Sequence, residues 1–483
     1  MLTYDLNEKG DDSLYFYLYK CIKNDIERGN IAPGARLPSK RNLASNLNVG
    51  LITVEAAYQQ LNAEGYIRSI ERRGYFVNDV FGDRIVAGTQ APSTLKKKHA
   101  SNSEGELKRT NNQRDGLIDF DLTGSGILQK SFPMATWAKC VRDTLSQENE
   151  STLTCEVEST GAPELREQIA RHLFETRRLE VNPNNIVIGS GAQTLYNLLI
   201  QLIGRDRLVA LEDPGYSRLT NIYEKNNLKV AYANMDENGV IVQQVRESDA
   251  NLLHIMPSHQ FPTGIVTSIA RRYELLGWAN EGENRFIIED DYDCEFRLEG
   301  RPIPTLQGID ASNKVIYSNT FTKSLGAAFR IAYLALPCNL ALKWKKDLSF
   351  YSCTVPALDQ LALARFMKRG DFERHISRTK NQARQIRDAF LTQLKEELDE
   401  KEYSVHGIDA GLHFIIRFQN SNEDLLKQEF MKQKIRIYPL SKYKHAKKLE
   451  RNEGSFVIQY LSLDEEKAKR CAKALAKAVH KAS

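Results

Sequence analysis

No run of eighteen apolar residues occurs in the 483-residue chain, so no segment qualifies as a membrane-spanning helix. The charged-then-apolar start of a secretory leader is missing too, and together these absences point to a cytoplasmic protein. Cysteine is sparse. The seven (Cys21, Cys140, Cys155, Cys294, Cys338, Cys353 and Cys471) are odd in number, scattered, and never in the close pairs that zinc or a redox couple requires. Reduced, mostly buried thiols and no bound metal are therefore expected. A strong net charge is lacking as well. Sixty-seven basic against 62 acidic side chains leaves +5, too little on so long a chain to imply a partner, so any nucleic-acid argument rests on where the charges sit. What is present, 41% apolar and 27% charged residues, is ordinary globular composition at a length of two or three domains.

One segment changes character. Residues 81–115 have almost no aromatics and no apolar period, and such a composition buries too little surface to offset its ordering entropy. It divides residues 1–80 from residues 116–483 as a flexible linker. Lys96, Lys97 and Lys98 within it read most simply as part of a solvated spacer.

In the first block, apolar residues recur at helical spacing from Leu14 to Ile26. A second helix starts after Pro38-Ser39, and a third runs from Thr53 to a C′ glycine at Gly65. Tyr66–Ile70 and Gly74–Val77 read as a β-hairpin with a basic tip. Ten basic and ten acidic side chains between Met1 and Val80 give no bulk field. The basic groups are clustered, however. Arg36, Lys40 and Arg41 open the second helix, and Arg68, Arg72 and Arg73 lie on the hairpin, where contacts to DNA phosphates would fall on a winged helix-turn-helix. A small interaction domain with solvated charges is the alternative. The stretch LPSKRNLASNLNVGLITVEAAYQQLNAEGYI (37–67), followed by RRGYFV (72–77), resembles the DNA-binding domain of GntR-type regulators. That family normally carries a serine–arginine pair before the recognition helix. Here Gly50-Leu51 stands in its place, which leaves Thr53 and the wing to carry more of the contact.

In the second block, strand-like runs at 185–189, 207–211, 252–256, 285–290 and 314–318 alternate with helical ones. This pattern argues for an α/β domain with a mostly parallel sheet, which binds ligands at the carboxyl ends of its strands. Five signals fall at such ends. The small-residue turn Ile188–Gln193 offers the backbone of Gly191, Ala192 and Gln193 to a phosphate, although a plain tight turn would read the same. Glu289-Asp-Asp-Tyr292 ends the most hydrophobic strand; Asp290 suits a protonated pyridine nitrogen and Tyr292 a ring oxygen, while magnesium binding or helix capping remains the alternative. Ser318–Lys323, with Arg330 seven residues on, suits a Schiff base at Lys323 beside a phosphate held by Thr320, Thr322 and the guanidinium. Glu212–Arg218 offers Tyr216 for stacking and Arg218 for a carboxylate, or is an ordinary proline–glycine turn. The polar loop Pro257–Gly264 contributes Gln260 as a cofactor contact and His259 as an effector contact.

Together these signals resemble the fold-type-I aminotransferases from Ile118 to the C-terminus. The fusion to a GntR winged helix and the phrases EDPGY, PSHQFPTG, IIEDDYD and TFTKSLGAAFRIAYL are similar to MocR/GabR-type regulators. That resemblance implies a pyridoxal 5′-phosphate aldimine on Lys323, with Asp290 at the ring nitrogen, Tyr292 at the ring oxygen, Tyr216 on the ring face and Arg330 at the phosphate. It also implies a head-to-tail, domain-swapped homodimer that binds an operator in double-stranded DNA. Two departures bear on turnover. Phe261 replaces the asparagine that transaminases of this fold place before Pro-Thr-Gly, and the late strand Ser455–Leu463 lacks their carboxylate-clamping arginine. Where the GABA-responsive member has a serine–arginine pair, this chain has Ser441-Lys442, and lysine offers a point charge instead of a fork. The expectation is a sensor, in which Lys323 exchanges with a small amine or amino acid, GABA-like in character, or in which pyridoxal phosphate itself is the signal. A working aminotransferase with an accessory domain is the competing reading.

Overall fold

Apolar side chains spaced three and four apart fold Leu14–Glu27 into helix α1, which buries Leu18, Tyr19, Ile22 and Ile26. The computed structural model describes residues 4, 12–70, 73–78, 118–124, 131–298, 304–408, 411–445 and 453–482. The chain forms two compact units, residues 1–106 and 107–483. The expected linker at 81–115 lies outside the described residues.

In the smaller unit, Ser39 caps helix α2 (Lys40–Leu47) by accepting from the Asn42 amide, and Asn48 closes it in the left-handed conformation that asparagine tolerates. Helix α3 (Leu51–Ala63) starts two residues before its expected Thr53. Gly50 holds extended backbone as its N-cap, and Gly65 turns the chain out at φ +80°. Strands β1 (Ile67–Ile70) and β2 (Gly74–Val77) pair antiparallel as the expected hairpin. Leu43, Leu47, Val54, Tyr58, Leu61 and Val77 close a core with α1.

The larger unit is built on an eight-stranded sheet. In chain order its strands are β3 (Ile186–Gly189), β4 (Leu208–Asp213), β5 (Lys229–Asp236), β6 (Gly239–Val240), β7 (Leu252–Ile255), β8 (Phe286–Asp290), β9 (Val315–Thr320) and β10 (Ala332–Ala335). They are ordered β3-β10-β9-β8-β7-β4-β5-β6. The pairs from β9 to β5 run parallel, as the apolar runs imply. β10 is antiparallel to both neighbours. Residues 321–331, between β9 and β10, are too few for a parallel crossover, so the chain can only fold back. Helices α4 (Pro163–Arg177), α5 (Ala192–Ile203), α6 (Ser217–Lys225), α7 (Ile269–Asn280) and α8 (Asp371–Glu397) follow their apolar faces onto two clusters flanking this sheet and a third on its far part. A second sheet, β11 (Tyr403–His406), β12 (His413–Asn422), β13 (Tyr438–Pro439) and β14 (Glu453–Gln459) in the order β11-β12-β14-β13, completes the unit with helix α9 (Glu465–Ala482). Among the described residues no helix is long and apolar enough to cross a membrane.

One buried ion triad supports the α4 side of the core. His172 lies 3.8 Å from Glu295 and 3.7 Å from Glu373. Burial opposes its charge, but the two carboxylates outweigh that and hold it up at about 9. A folded-state value above the unfolded one gives stability that is complete below about pH 6.5 and lost as pH rises through about 9. We expect the urea midpoint of the larger unit to fall between pH 6.5 and 9.5, by about 3 kcal/mol equivalent. His172→Gln should flatten that slope while lowering stability at pH 6.5.

Candidate functional site

In the smaller unit, the N-terminus of α2, the outer face of α3 and the hairpin converge on Lys40. Its ammonium is 2.5 Å from Glu55 of α3 and 6.0 Å from the centre of the Tyr75 ring on β2. The Glu55 hydrogen bond raises the affinity of Lys40 for its proton, so this lysine is engaged within the protein. Arg36 lies against the hairpin at Gly74 and bridges Phe76. Arg36, Arg41, Arg68 and Arg73 are exposed and make no ion pair with a described residue. Thr53 is half-buried in the first turn of α3. Arg72 lies outside the described residues.

In the larger unit the parallel sheet brings all five strand-end signals to one edge. Asp290, the last residue of β8, accepts a 2.8 Å hydrogen bond from the Tyr196 hydroxyl and lies 3.5 Å from Nε2 of the buried His254. Tyr223 contacts the other His254 nitrogen at 2.7 Å. Tyr196 and His254 carry no local sequence signal; only the packing of α5 over β7 and β8 places them. Lys323 is half-buried just past β9. Burial pushes its ammonium below the ordinary lysine range, and the Asp293 carboxylate partly opposes that. An amine that loses its proton more readily is a better nucleophile.

An anion cradle flanks this lysine. Helix α5 begins at Gly191 with no side-chain cap, leaving the amides of Ala192 and Gln193 at its positive end. Arg330, at φ +52°, brings its guanidinium to 3.4 Å from the Ser190 carbonyl. A Cβ on Gly191 would stand 2.3 Å from that guanidinium, so the glycine leaves the space that the arginine fills. Thr320 and Thr322 pair their hydroxyls at 2.7 Å.

Tyr292 contacts His259 Nδ1 at 3.3 Å, and that nitrogen also meets Asp293 at 2.9 Å. The carboxylate accepts, so Nδ1 carries the proton and the buried, unpartnered Nε2 is the bare nitrogen. His413, on β12, packs its ring 4.4 Å from His259 and donates from Nε2 to the Pro262 carbonyl at 3.2 Å. Burial, with His259 and Lys323 nearby, keeps His413 well below its usual range. His259, Asp293 and His413 bring their polar atoms within 4.8 Å of one another. The neighbouring lysine and the His259–Asp293 hydrogen bond weigh against a bound cation there. His413 was not legible in sequence, because nothing near it in the chain marks it. Gln260, expected as a cofactor contact, is buried and fully hydrogen-bonded within the protein. Its amide donates to Glu212 and the Pro214 carbonyl while its oxygen accepts twice from Thr263, so it ties its own loop to the end of β4. Arg218 is exposed with its guanidinium 5.8 Å over the Tyr216 ring, and Lys442 is exposed over the Tyr438 ring at 2.9 Å.

Residues 14–77 match the family model of bacterial regulatory proteins of the gntR family, and residues 128–475 match aminotransferase class I and II. The chain is 36% identical to the HTH-type transcriptional regulator YdeL of Bacillus subtilis (strain 168), across 92% of this chain and 93% of that one. The chain belongs to the MocR-type GntR-family transcriptional regulators. It is 29% identical to the probable rhizopine catabolism regulatory protein MocR of Rhizobium meliloti, across 90% of this chain and 88% of that one. The multiple substrate aminotransferase of Thermococcus profundus shares the fold at a TM-score of 0.65 and 21% identity, covering 78% of this chain and 96% of that chain. This regulator therefore joins a winged-helix unit of a DNA-binding family to an aminotransferase class I and II fold, one associated with pyridoxal phosphate. Its residues fit that group: a carboxylate for the ring nitrogen, a nucleophilic lysine, and a cradle with two open helix amides and an arginine.

Gly191→Ala forces a side chain into a φ of +90° and onto Arg330. We expect roughly tenfold weaker binding of pyridoxal phosphate, the order of one charge-assisted hydrogen bond. Gly277→Ala, which meets nothing within 4 Å in α7, should leave binding unchanged in the same titration.

Proposed function

We propose that the larger unit is a sensor that holds pyridoxal 5′-phosphate on Lys323 and relays the binding of a small amine or amino acid to the DNA-binding unit. The observation that carries this reading is the convergence of Lys323, Asp290, Tyr292 and Arg330 on one sheet edge. When bound, the cofactor supplies an electrophilic carbon open to exchange with an incoming amine. Burial readies Lys323 as the protein's own amine, and Asp293 moderates that effect. Asp290, steadied by Tyr196, would offset a positive ring nitrogen. Arg330 with the Ala192 and Gln193 amides would take the phosphate, and Thr320 and Thr322 would add hydroxyl donors. Tyr216 would cover a ring face. Asp293, accepting from His259 Nδ1, would hold that ring beside the Tyr292 hydroxyl and so position the tyrosine. Arg218 beside Tyr216, with Lys442 as a second positive charge, supports an effector carrying a carboxylate or phosphate. The reading includes a head-to-tail homodimer in the cytoplasm. A ligand shifts DNA affinity only as far as it binds the two states of the protein differently.

Absorbance titration with amines, GABA included, tests this beside a Lys323→Ala control, with operator binding followed in parallel. A visible band that depends on Lys323, moves with one amine, and changes DNA affinity together with that amine is the expected result. Persistence of both DNA binding and the ligand response in Lys323→Ala would overturn the lysine-centred mechanism. A response to pyridoxal phosphate alone would make the cofactor the signal.

A further inference from the structure

Helix α3 divides into two faces. Val54, Ala57, Tyr58 and Leu61 are buried without exposed surface. Ile52, Glu55, Ala56 and Gln59 follow the i, i+3, i+4, i+7 spacing of the opposite face. Ile52 is 82% exposed, and Leu51 beside it is 43% exposed. The acid on this face is occupied, because Glu55 is held by Lys40 at 2.5 Å. The unit around it carries exposed arginines, among them Arg36, Arg41, Arg68 and Arg73, that pair with no described acid.

An exposed isoleucine at the start of a helix, in a small unit with several exposed guanidiniums that pair with no described acid, suits a polyanion whose groove floor offers apolar groups. Duplex DNA is such a partner. Its major groove presents one apolar handle, the thymine C5-methyl, and glutamine pairs in two places with adenine. Guanine is read mainly by arginine or lysine, and this face has no arginine and no lysine. We infer that α3 reads A·T base pairs, with Ile52 and Ala56 against thymine methyl groups and Gln59 at an adenine. The inference rests on the smaller unit being a duplex-DNA reader and goes beyond it by assigning what the recognition helix selects. The arginines position the protein on phosphates whatever the sequence, so selectivity falls to the apolar contacts.

The test uses the full-length, cofactor-loaded protein and a random-sequence duplex pool. Bound duplexes are enriched, and the best site is resynthesised with deoxyuridine replacing each thymidine in turn, which removes the methyl and keeps the base pairing. At one or two positions the exchange should weaken binding about fourfold, the value of one buried methyl group. Ile52→Ala changes a surface side chain and so keeps the fold. It should bind the thymine site more weakly by a similar factor and no longer distinguish thymine from uracil there. A selected site indifferent to every exchange, or an Ile52→Ala variant that keeps the full thymine preference, would overturn the inference while leaving DNA binding intact; the second result would give Ile52 to a protein contact. Failure to enrich any sequence, with no binding to any duplex, would remove the DNA reading and this inference together.

Discussion

Four carboxylates fall within five residues at the carboxyl end of strand β8, and the larger unit is organised around keeping them apart. Glu289 is met by Arg272 of α7 at 3.5 Å and accepts from the Leu306 and Gln307 amides. Asp290 takes Tyr196 of α5. Asp291 takes Arg177 of α4 at 2.9 Å and the Tyr317 hydroxyl of β9 at 2.8 Å. Asp293 takes His259. Each acid thus fastens a different element to the same strand end. Like charges this close repel by several kcal/mol in a buried setting unless each has its own partner. The fully buried Arg272–Glu289 pair shows the cost: burial pushes Glu289 up and Arg272 down, so desolvation outweighs attraction on both. Such a pair adds little net stability, yet loss of one member leaves a buried charge alone. What the pair supplies is position. Arg272 also donates to the Pro257 and Thr267 carbonyls, which fixes the loop bearing His259.

The smaller unit depends on a lighter version of the same device. Lys40 joins α2 to Glu55 of α3, and the buried Tyr58 donates to the Pro38 carbonyl at 2.9 Å, tying α3 to the turn before α2. The helix-turn-helix angle is held from inside, and the outer face of α3 needs no internal partner beyond Glu55.

The sequence was most legible where a residue's role follows from its neighbours in the chain. The helices of the small unit, the hairpin, strand β3 and the parallel strands β4, β7, β8 and β9 announced themselves by apolar period and turn residues, with ends off by one or two positions, whereas the parallel β5 did not. That Gly191, Asp290 and Lys323 lie at or just past strand ends was legible because the apolar runs mark where each strand stops. The antiparallel β10 was not expected, since a short apolar run does not state its direction; the length of the connection does. Tyr196, His254 and His413 were invisible for another reason. Each comes to the site from a distant element through packing, and single residues of these types carry no local period. The hydrogen bonds of Gln260 to Glu212, Pro214 and Thr263 were not legible, because two of those partners come from the end of a different strand.

Asp293, His259 and Tyr292 form a hydrogen-bonded group near Lys323. Positioning a tyrosine beside a lysine serves amine exchange and turnover alike, so this group alone does not decide between a sensor and a catalyst. The difference lies in what holds the substrate. Turnover requires contacts that strengthen in the transition state, and a fixed arginine fork on a carboxylate is such a contact. Strand β14 carries none, and the cations Arg218 and Lys442 are exposed over tyrosine rings. Exposed, loosely placed charges can recognise an anion reversibly, but they do little to orient its bonds. That balance, a readied lysine with a weak clamp, suits a ligand that must bind, be read and leave unchanged.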